Sequence, residues 1–209
     1  ANVRAFLGYM FTHPGKKLLF MGCDLGMYEE WNWQAQLPWH LLQYGYHRKL
    51  HAYVRELNRM VRREPALHEV DFESAGFQWI DFRDLEMSTL SFLRFARDRE
   101  DFLVIVCNFT PIPRSGYRVG VPRPGRYQEI FNSDAEMFHG SNMGNAGDAV
   151  ADAVWAHERP FSMPITLPPF GVVVFKPEPL PKPPLIEAAA IELPAALDLE
   201  LEVLKEELK

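Results

Sequence analysis

The middle of this chain consists of short runs of aromatic and β-branched residues, separated by Gly, Pro, Asn and Asp. Runs of this length, bounded by turn-forming residues and mostly alternating between apolar and polar positions, are typical of half-buried antiparallel strands. The pattern predicts a sandwich or barrel of about six to eight strands. The runs are FQWIDF (77–82), TLSFLRFA (89–96), FLVIVCNF (102–109), YRVGV (117–121), YQEIF (127–131) and VVVFK (172–176).

The residues before this region follow a helical period. Val3, Phe6, Leu7 and Met10 are spaced at i, i+3, i+4 and i+7, and Pro14-Gly15 ends the pattern, which predicts a first helix. A second helix is predicted over roughly 46–64, where apolar residues repeat the same period before a proline. Those apolar residues are Leu50, Tyr53, Val54, Leu57 and Val61.

A continuous apolar run, LLFMG (18–22), lies between the two predicted helices. A strand of this kind is typical of a parallel sheet that helices cover on both faces, yet the chain offers no second strand like it. Each large apolar side chain left uncovered would forgo roughly 1.5–3 kcal/mol of burial. We therefore expect its neighbouring strands to lie outside this sequence, and the chain to be the C-terminal piece of a longer protein cut inside an α/β domain.

Composition limits the classes of partner. The chain has 209 residues, a net charge of −6 and a pI near 5.7, so it lacks the basic field that gathers phosphates. We expect neither nucleic acid nor a membrane as a partner, and no apolar run is long enough to span a bilayer. The N-terminus does not resemble a signal peptide, which predicts a cytoplasmic protein. Cys23 and Cys107 are expected to be buried free thiols.

Eight ordered segments together resemble the C-terminal third of bacterial 1,4-α-glucan (glycogen) branching enzymes, which belong to the α-amylase superfamily. The segments are FTHPGKKLLFMG (11–22), EWN (30–32), WHLL (39–42), RELN (55–58), GFQWID (76–81), NFTPIPRSGYRVGVPRPGRYQEIFNSD (108–134), HGSNMGN (139–145) and LPPFGVVVF (167–175).

The resemblance implies an α/β part followed by an all-β part. Residues 1–65 would be the end of a (β/α)8 TIM barrel, with LLFMG as the last strand, and residues 66–177 an antiparallel β-sandwich C-terminal domain. Residues 178–209 would be a Pro-rich linker and an acidic tail outside the resemblance.

The resemblance also implies the chemistry. Branching enzymes cleave an α-1,4 glucan and transfer the segment to a 6-hydroxyl, forming an α-1,6 branch with retention. Retention needs two carboxylates about 5–5.5 Å apart, and in this superfamily the catalytic acids follow the fourth, fifth and seventh barrel strands, all before Ala1. The expected partners are therefore an α-glucan and the missing N-terminal part of the same enzyme, with no cofactor. The isolated chain is expected to be inactive.

Four residues after LLFMG are candidates for substrate binding, because the loop 23–45 would open at the C-terminal face of the barrel. Asp24 stands where the superfamily usually has Glu, and it would line the donor pocket, support the catalytic carboxylates, or be a solvated or ion-paired loop acid. Glu30, Trp31 and Asn32 put an aromatic face beside hydrogen-bonding groups, which suits a sugar ring. In the alternative, Trp31 packs the loop onto the barrel.

Two other sequence patterns indicate structural residues and not a metal or phosphate site. His47 and His51 are four residues apart but lack the Glu of a metalloprotease motif and a third ligand, so we expect surface histidines and no metal. The loop HGSNMGNAG (139–147) lacks the ending of a phosphate loop, and its glycines are expected to permit positive φ. Two alternative functions remain: a carbohydrate-binding β-domain without catalysis, and part of a related hydrolase of the superfamily.

Overall fold

The computed structural model describes residues 1–30 and 32–179, and residues 1–178 of it form one compact unit. Both predicted helices and all six predicted strands are present. The helices are α1 (Asn2–Thr12) and α2 (Gly45–Arg63). The strands are β1 (Phe77–Asp81), β2 (Thr89–Phe95), β3 (Phe102–Asn108), β4 (Arg114–Val121), β5 (Gly125–Asn132), β6 (Asp148–Ala151), β7 (Phe161–Leu167) and β8 (Gly171–Pro177). The tail predicted beyond residue 179 lies outside the described residues.

The strands form two antiparallel sheets. Six of them pair in the order β1-β2-β3-β8-β5-β6, and β4 pairs with β7 in the second sheet. A single bridge between Asp152 and Ser162 joins the end of β6 to β7. The two sheets are thus connected at one side, whereas β1 forms the opposite edge of the larger sheet.

The two central strands, β3 and β8, are buried along almost their whole length. Ile105 and Val174 lie in an apolar cluster with residues of both helices. Val104 and Val173 belong to a second cluster, with residues of β4 and β7. Because both faces of the sheet are covered, these strands are continuous apolar runs even though every neighbour is antiparallel.

The buried face of α1 is displaced from the predicted stripe. Leu7 and Phe11 are buried, whereas Val3 and Phe6 are 53% and 63% exposed. Gly8 explains the displacement, since a Cβ there would lie 2.7 Å from the Tyr53 hydroxyl oxygen and 3.1 Å from Val172 Cβ. The missing side chain lets this face of α1 approach α2 and β8 closely.

The run LLFMG is assigned to no strand, which departs from the sequence-based expectation. Leu18 and Phe20 are 76% and 52% exposed, and residues 21 and 22 form a turn. A strand requires a neighbour to form a ladder with, and every ladder among the described residues is antiparallel and lies between residues 77 and 177. The barrel end therefore stays a prediction.

The helical part of the described chain contains nothing with the length and apolarity needed to cross a bilayer.

Candidate functional site

The loop 23–45 is built from two short 3-10 helices that pack against the start of α2. They are Cys23–Leu25 and Trp39–Gln43. Gly26 follows the first with φ +64°, and a Cβ there would lie 2.7 Å from Leu50 Cδ2. A glycine at this position therefore allows both the left-handed turn and the close approach to α2.

His47 is buried against this loop, so the expectation that His47 is a surface histidine is wrong. The side chain is buried, with Nδ1 2.7 Å from the Leu25 carbonyl oxygen and Nε2 3.1 Å from the Tyr28 hydroxyl oxygen. A carbonyl can only accept, so Nδ1 carries the proton, and Nε2 of the neutral ring accepts from Tyr28. His47 is therefore a structural residue of the loop.

Asp24 faces His51 on α2. Asp24 Oδ2 lies 3.2 Å from His51 Nδ1, an ion pair when the imidazole is protonated, although the angle is not that of a hydrogen bond. Both residues line an open cleft of about 430 Å³, together with Leu19, Arg55 and Arg62. This contact matches the interpretation of Asp24 as a paired loop acid, and a role toward substrate stays a proposal.

Two other candidate residues, Glu30 and Asn32, lie on the outer part of the loop. Glu30 and Asn32 are exposed, and Asn32 Oδ1 accepts a hydrogen bond of 3.0 Å from the Gln34 amide. The neighbouring Glu29 lines a different concavity, of about 360 Å³, with Tyr28 and Pro38. The chain thus places Asp24 and Glu29 in different concavities. Trp31 lies outside the described residues.

Metal ligation by the two histidines is not supported. His47 and His51 bind different groups, and the described residues include no cluster of three or more His, Cys, Asp or Glu side chains suited to a metal ion.

The Gly-rich loop 139–147 is a structural anchor built around Asp134, a residue that no sequence pattern indicated. The buried Asp134 accepts from the Ser141 amide at 3.1 Å and pairs with Arg4 of α1 at 3.2 Å. Gly147 has the predicted positive φ, +103°. Gly140 serves another purpose, since its Cβ would collide with the Asp134 carbonyl oxygen at 1.9 Å. The loop fastens α1 to the sheet.

Comparisons with known proteins agree with the resemblance seen in the sequence. The family described as "Alpha amylase, C-terminal all-beta domain" matches residues 79–178. The "1,4-alpha-glucan branching enzyme GlgB" of Aquifex aeolicus is 51% identical over 178 residues, which is 85% of this chain and 28% of that protein. The protein of the same name from Pseudomonas putida is 51% identical over 85% of this chain and 24% of its own length. The chain thus spans about a quarter of the relatives it matches.

Solved structures support the fold at low sequence identity. Ttha1563 from Thermus thermophilus superimposes with a TM-score of 0.51 at 20% identity, over 84% of this chain and 31% of that one. The alpha-amylase from H. orenii gives a TM-score of 0.51 at 16% identity, over 84% of this chain and 35% of that one. The curated relatives confirm the resemblance, and the family match to residues 79–178 agrees with the antiparallel all-β part.

Proposed function

We propose that this chain, a homologue of the bacterial 1,4-alpha-glucan branching enzymes, acts as part of such an enzyme in glycogen biosynthesis. The observation that carries the proposal is the 51% identity over 178 residues to the Aquifex aeolicus protein. The whole enzyme would be a cytoplasmic hexosyltransferase that cleaves an α-1,4 glucan and transfers the freed segment to a 6-hydroxyl. The α-glucan is its substrate, and no cofactor takes part.

Residues 1–65 would then complete a (β/α)8 barrel, and residues 66–177 would form the β-domain beside it. The exposure of Phe6, Leu18 and Phe20 supports this division, because burying each against a neighbouring element would contribute roughly 1.5–3 kcal/mol. In the whole enzyme, LLFMG would become the last barrel strand by pairing with strands that precede Ala1.

The catalytic carboxylates would lie outside this chain. The loop 23–45 would open on the active site at the C-terminal face of the barrel. Asp24, Glu30, Trp31 and Asn32 would form part of the rim of the glucan pocket, and none of them would break the glycosidic bond. On this proposal the purified chain of 209 residues has no branching activity.

The test is a chimera in which residues 1–177 of this chain replace the matching segment of the Aquifex aeolicus enzyme. We expect the chimera to introduce α-1,6 linkages into amylose, measured as chains released by isoamylase, and the 209-residue chain alone to introduce none. Branching by the chain alone, or a folded chimera without activity, would contradict the proposal. New reducing ends without branches would instead favour the related hydrolase.

The candidate rim residues are tested in the same chimera. Asp24→Asn keeps the size of the side chain and removes the charge, and we expect it to lower kcat/KM for amylose by about tenfold, equivalent to ~1.4 kcal/mol. Glu136→Gln, at an exposed acid on the β-domain, is the matched control and should leave kcat/KM unchanged. An unchanged Asp24→Asn chimera would restrict Asp24 to its ion pair with His51.

A further inference from the structure

A second cleft, of about 240 Å³, lies at the end of β1, away from the loop 23–45. Its walls come from two segments: the end of β1 with the residues that follow it, and the turn 156–159, which packs against β4. The lining residues are Trp79, Ile80, Asp81, Phe82, Arg83, His157 and Glu158. The cleft opens at the edge of the larger sheet where no further strand of the described chain pairs with β1.

Aromatic rings form one side of this cleft. The rings of Trp79 and Phe82 are 5.5 Å apart between centroids and tilted by 52°. Phe82 is 49% exposed, although a large apolar side chain normally gains by burial. The guanidinium of Arg83 lies 5.3 Å from the centre of the Phe82 ring, so a hydrogen-bond donor stands beside the exposed ring.

Two polar groups line the same cleft: Asp81, on the segment that carries the aromatic rings, and His157, on the turn 156–159. His157 Nδ1 accepts from the Gly120 amide at 3.1 Å, so the neutral ring carries its proton on Nε2. That Nε2 lies 3.7 Å from Asp81 Oδ2, which is too long for a hydrogen bond. A sugar hydroxyl that lies beside this pair, within hydrogen-bonding distance of both atoms, can accept from the imidazole and donate to the carboxylate.

The turn that carries His157 is held in an unfavourable backbone conformation. His157 and Glu158 have φ of +48° and +60°, where residues other than Gly, Asn and Asp are uncommon. The approach to β4 is possible only because residue 120 is glycine: a Cβ there would lie 2.3 Å from the Ala156 carbonyl oxygen. The position of the imidazole is thus fixed by the surrounding structure, as binding groups require.

We propose that this cleft binds a sugar ring of an α-1,4-linked glucan chain, at a distance from the reaction. An aromatic face with a donor beside it, in one cleft with an acid and an imidazole, matches the apolar face and hydroxylated rim of a hexose. The identity of the sugar rests on the proposed function; the chemistry of the cleft does not.

The experiment is a titration of the ¹⁵N-labelled 209-residue chain with maltoheptaose, with cellohexaose as the comparison. We expect binding with Kd on the order of 1 mM, and amide shifts at residues 79–83 and 157–158. Phe82→Ala should weaken binding about tenfold, and Asp81→Asn should weaken it as well. Phe72→Ala, which removes a 71% exposed phenylalanine outside the cleft, should bind as the unmodified chain does.

Three outcomes would overturn the inference: no binding of maltoheptaose, shifts confined to residues outside the cleft, or unchanged binding by Phe82→Ala. Equal binding of cellohexaose would overturn the α-1,4 preference. None of these outcomes bears on the chimera assay, which measures branching by the unmodified chimera. Failure of the cleft and failure of the proposed function are therefore separable.

Discussion

Single buried charges connect the helical part of this chain to its sheets. Arg4 joins α1 to the loop after β5 through Asp134, and Arg94 joins the end of α1 to the segment before β1. Arg94 is fully buried, donates to the Thr12 carbonyl at 2.7 Å, and pairs with Asp71 at 2.7 Å. A buried charge of this kind is tolerated only while its partners remain, so stability depends strongly on the partners.

Asp71→Ala, which removes a largely buried acid, should therefore destabilise the chain strongly. Removing the carboxylate leaves the Arg94 guanidinium buried without its counter-charge, and we expect a loss of about 3–5 kcal/mol in the free energy of unfolding. Urea unfolding followed by circular dichroism measures it. The matched control is Asp152→Ala, which removes the 53% exposed partner of Arg118 and should change stability by less than about 1 kcal/mol. If the two substitutions lowered the free energy of unfolding equally, the burial of Arg94 would not be the cause of the lost stability.

Glu64 should give the chain an acid-dependent stability. Burial raises the pKa of Glu64, but hydrogen bonds from Lys176 and Arg63, each of 2.8 Å, outweigh burial and hold the pKa below its ordinary value. A carboxyl whose pKa is lowered by folding contributes stability above its unfolded pKa of about 4.3, and the contribution is lost as the pH falls through the folded pKa.

Glu64→Gln should consequently lower the free energy of unfolding at pH 7 by about 1–3 kcal/mol. The difference from the unmodified chain should shrink below pH ~4. Urea midpoints from pH 3 to pH 7 would check this. Glu56→Gln, at a more exposed pair with Arg59, should show neither effect. A deficit that stays constant with pH would mean that packing and not charge explains the loss.

Among the elements, those with one clear period were predictable and those set by distant contacts were not. Both helices followed from the spacing of their apolar residues, and six strands followed from aromatic and β-branched runs bounded by turn residues. The other two strands were not predictable in this way, because β6 has only four residues and β7 carries Pro164 in its middle, which argues against a strand. Which side of α1 is exposed could not be predicted, because it depends on the close packing of Gly8 against α2 and β8. In the candidate site, His47 looked like a surface residue because its partners, Leu25 and Tyr28, are set by loop geometry.

Gly8→Ala should therefore lower the stability of the chain, whereas the same substitution at an ordinary helix glycine raises it. Alanine normally stabilises a helix interior by about 1 kcal/mol relative to glycine. At residue 8 the added Cβ would contact the Tyr53 hydroxyl oxygen at 2.7 Å, so Gly8→Ala should destabilise by about 1–3 kcal/mol. Gly45→Ala, at the first residue of α2 with open space around it, should be neutral or stabilising. Thermal unfolding of the two variants gives the sign, and a stabilised Gly8→Ala would contradict the close packing of α1.

The division between the helical part and the β-domain crosses a shared core. Leu7 and Leu57 of the helices belong to the same apolar cluster as Phe92, Leu103 and Val172 of the sheet. The resemblance to a barrel and a separate β-domain implies a boundary near residue 65, yet residues 1–178 pack as one unit. Removing the helices would expose one whole apolar face of the six-stranded sheet to water.

A chain of residues 66–178 should therefore not fold by itself, whereas a chain of residues 1–178 should. For the shorter chain we expect no cooperative thermal transition and strong binding of the dye ANS, because the sheet face that packs on α1 and α2 is uncovered. The longer chain contains the whole compact unit and should unfold in one cooperative transition without ANS binding. Calorimetry and amide spectra of both chains decide the matter. A dispersed spectrum and a cooperative transition for residues 66–178 would mean that the β-domain has a sufficient core between its two sheets, in the cluster that contains Val104, Val119 and Met163.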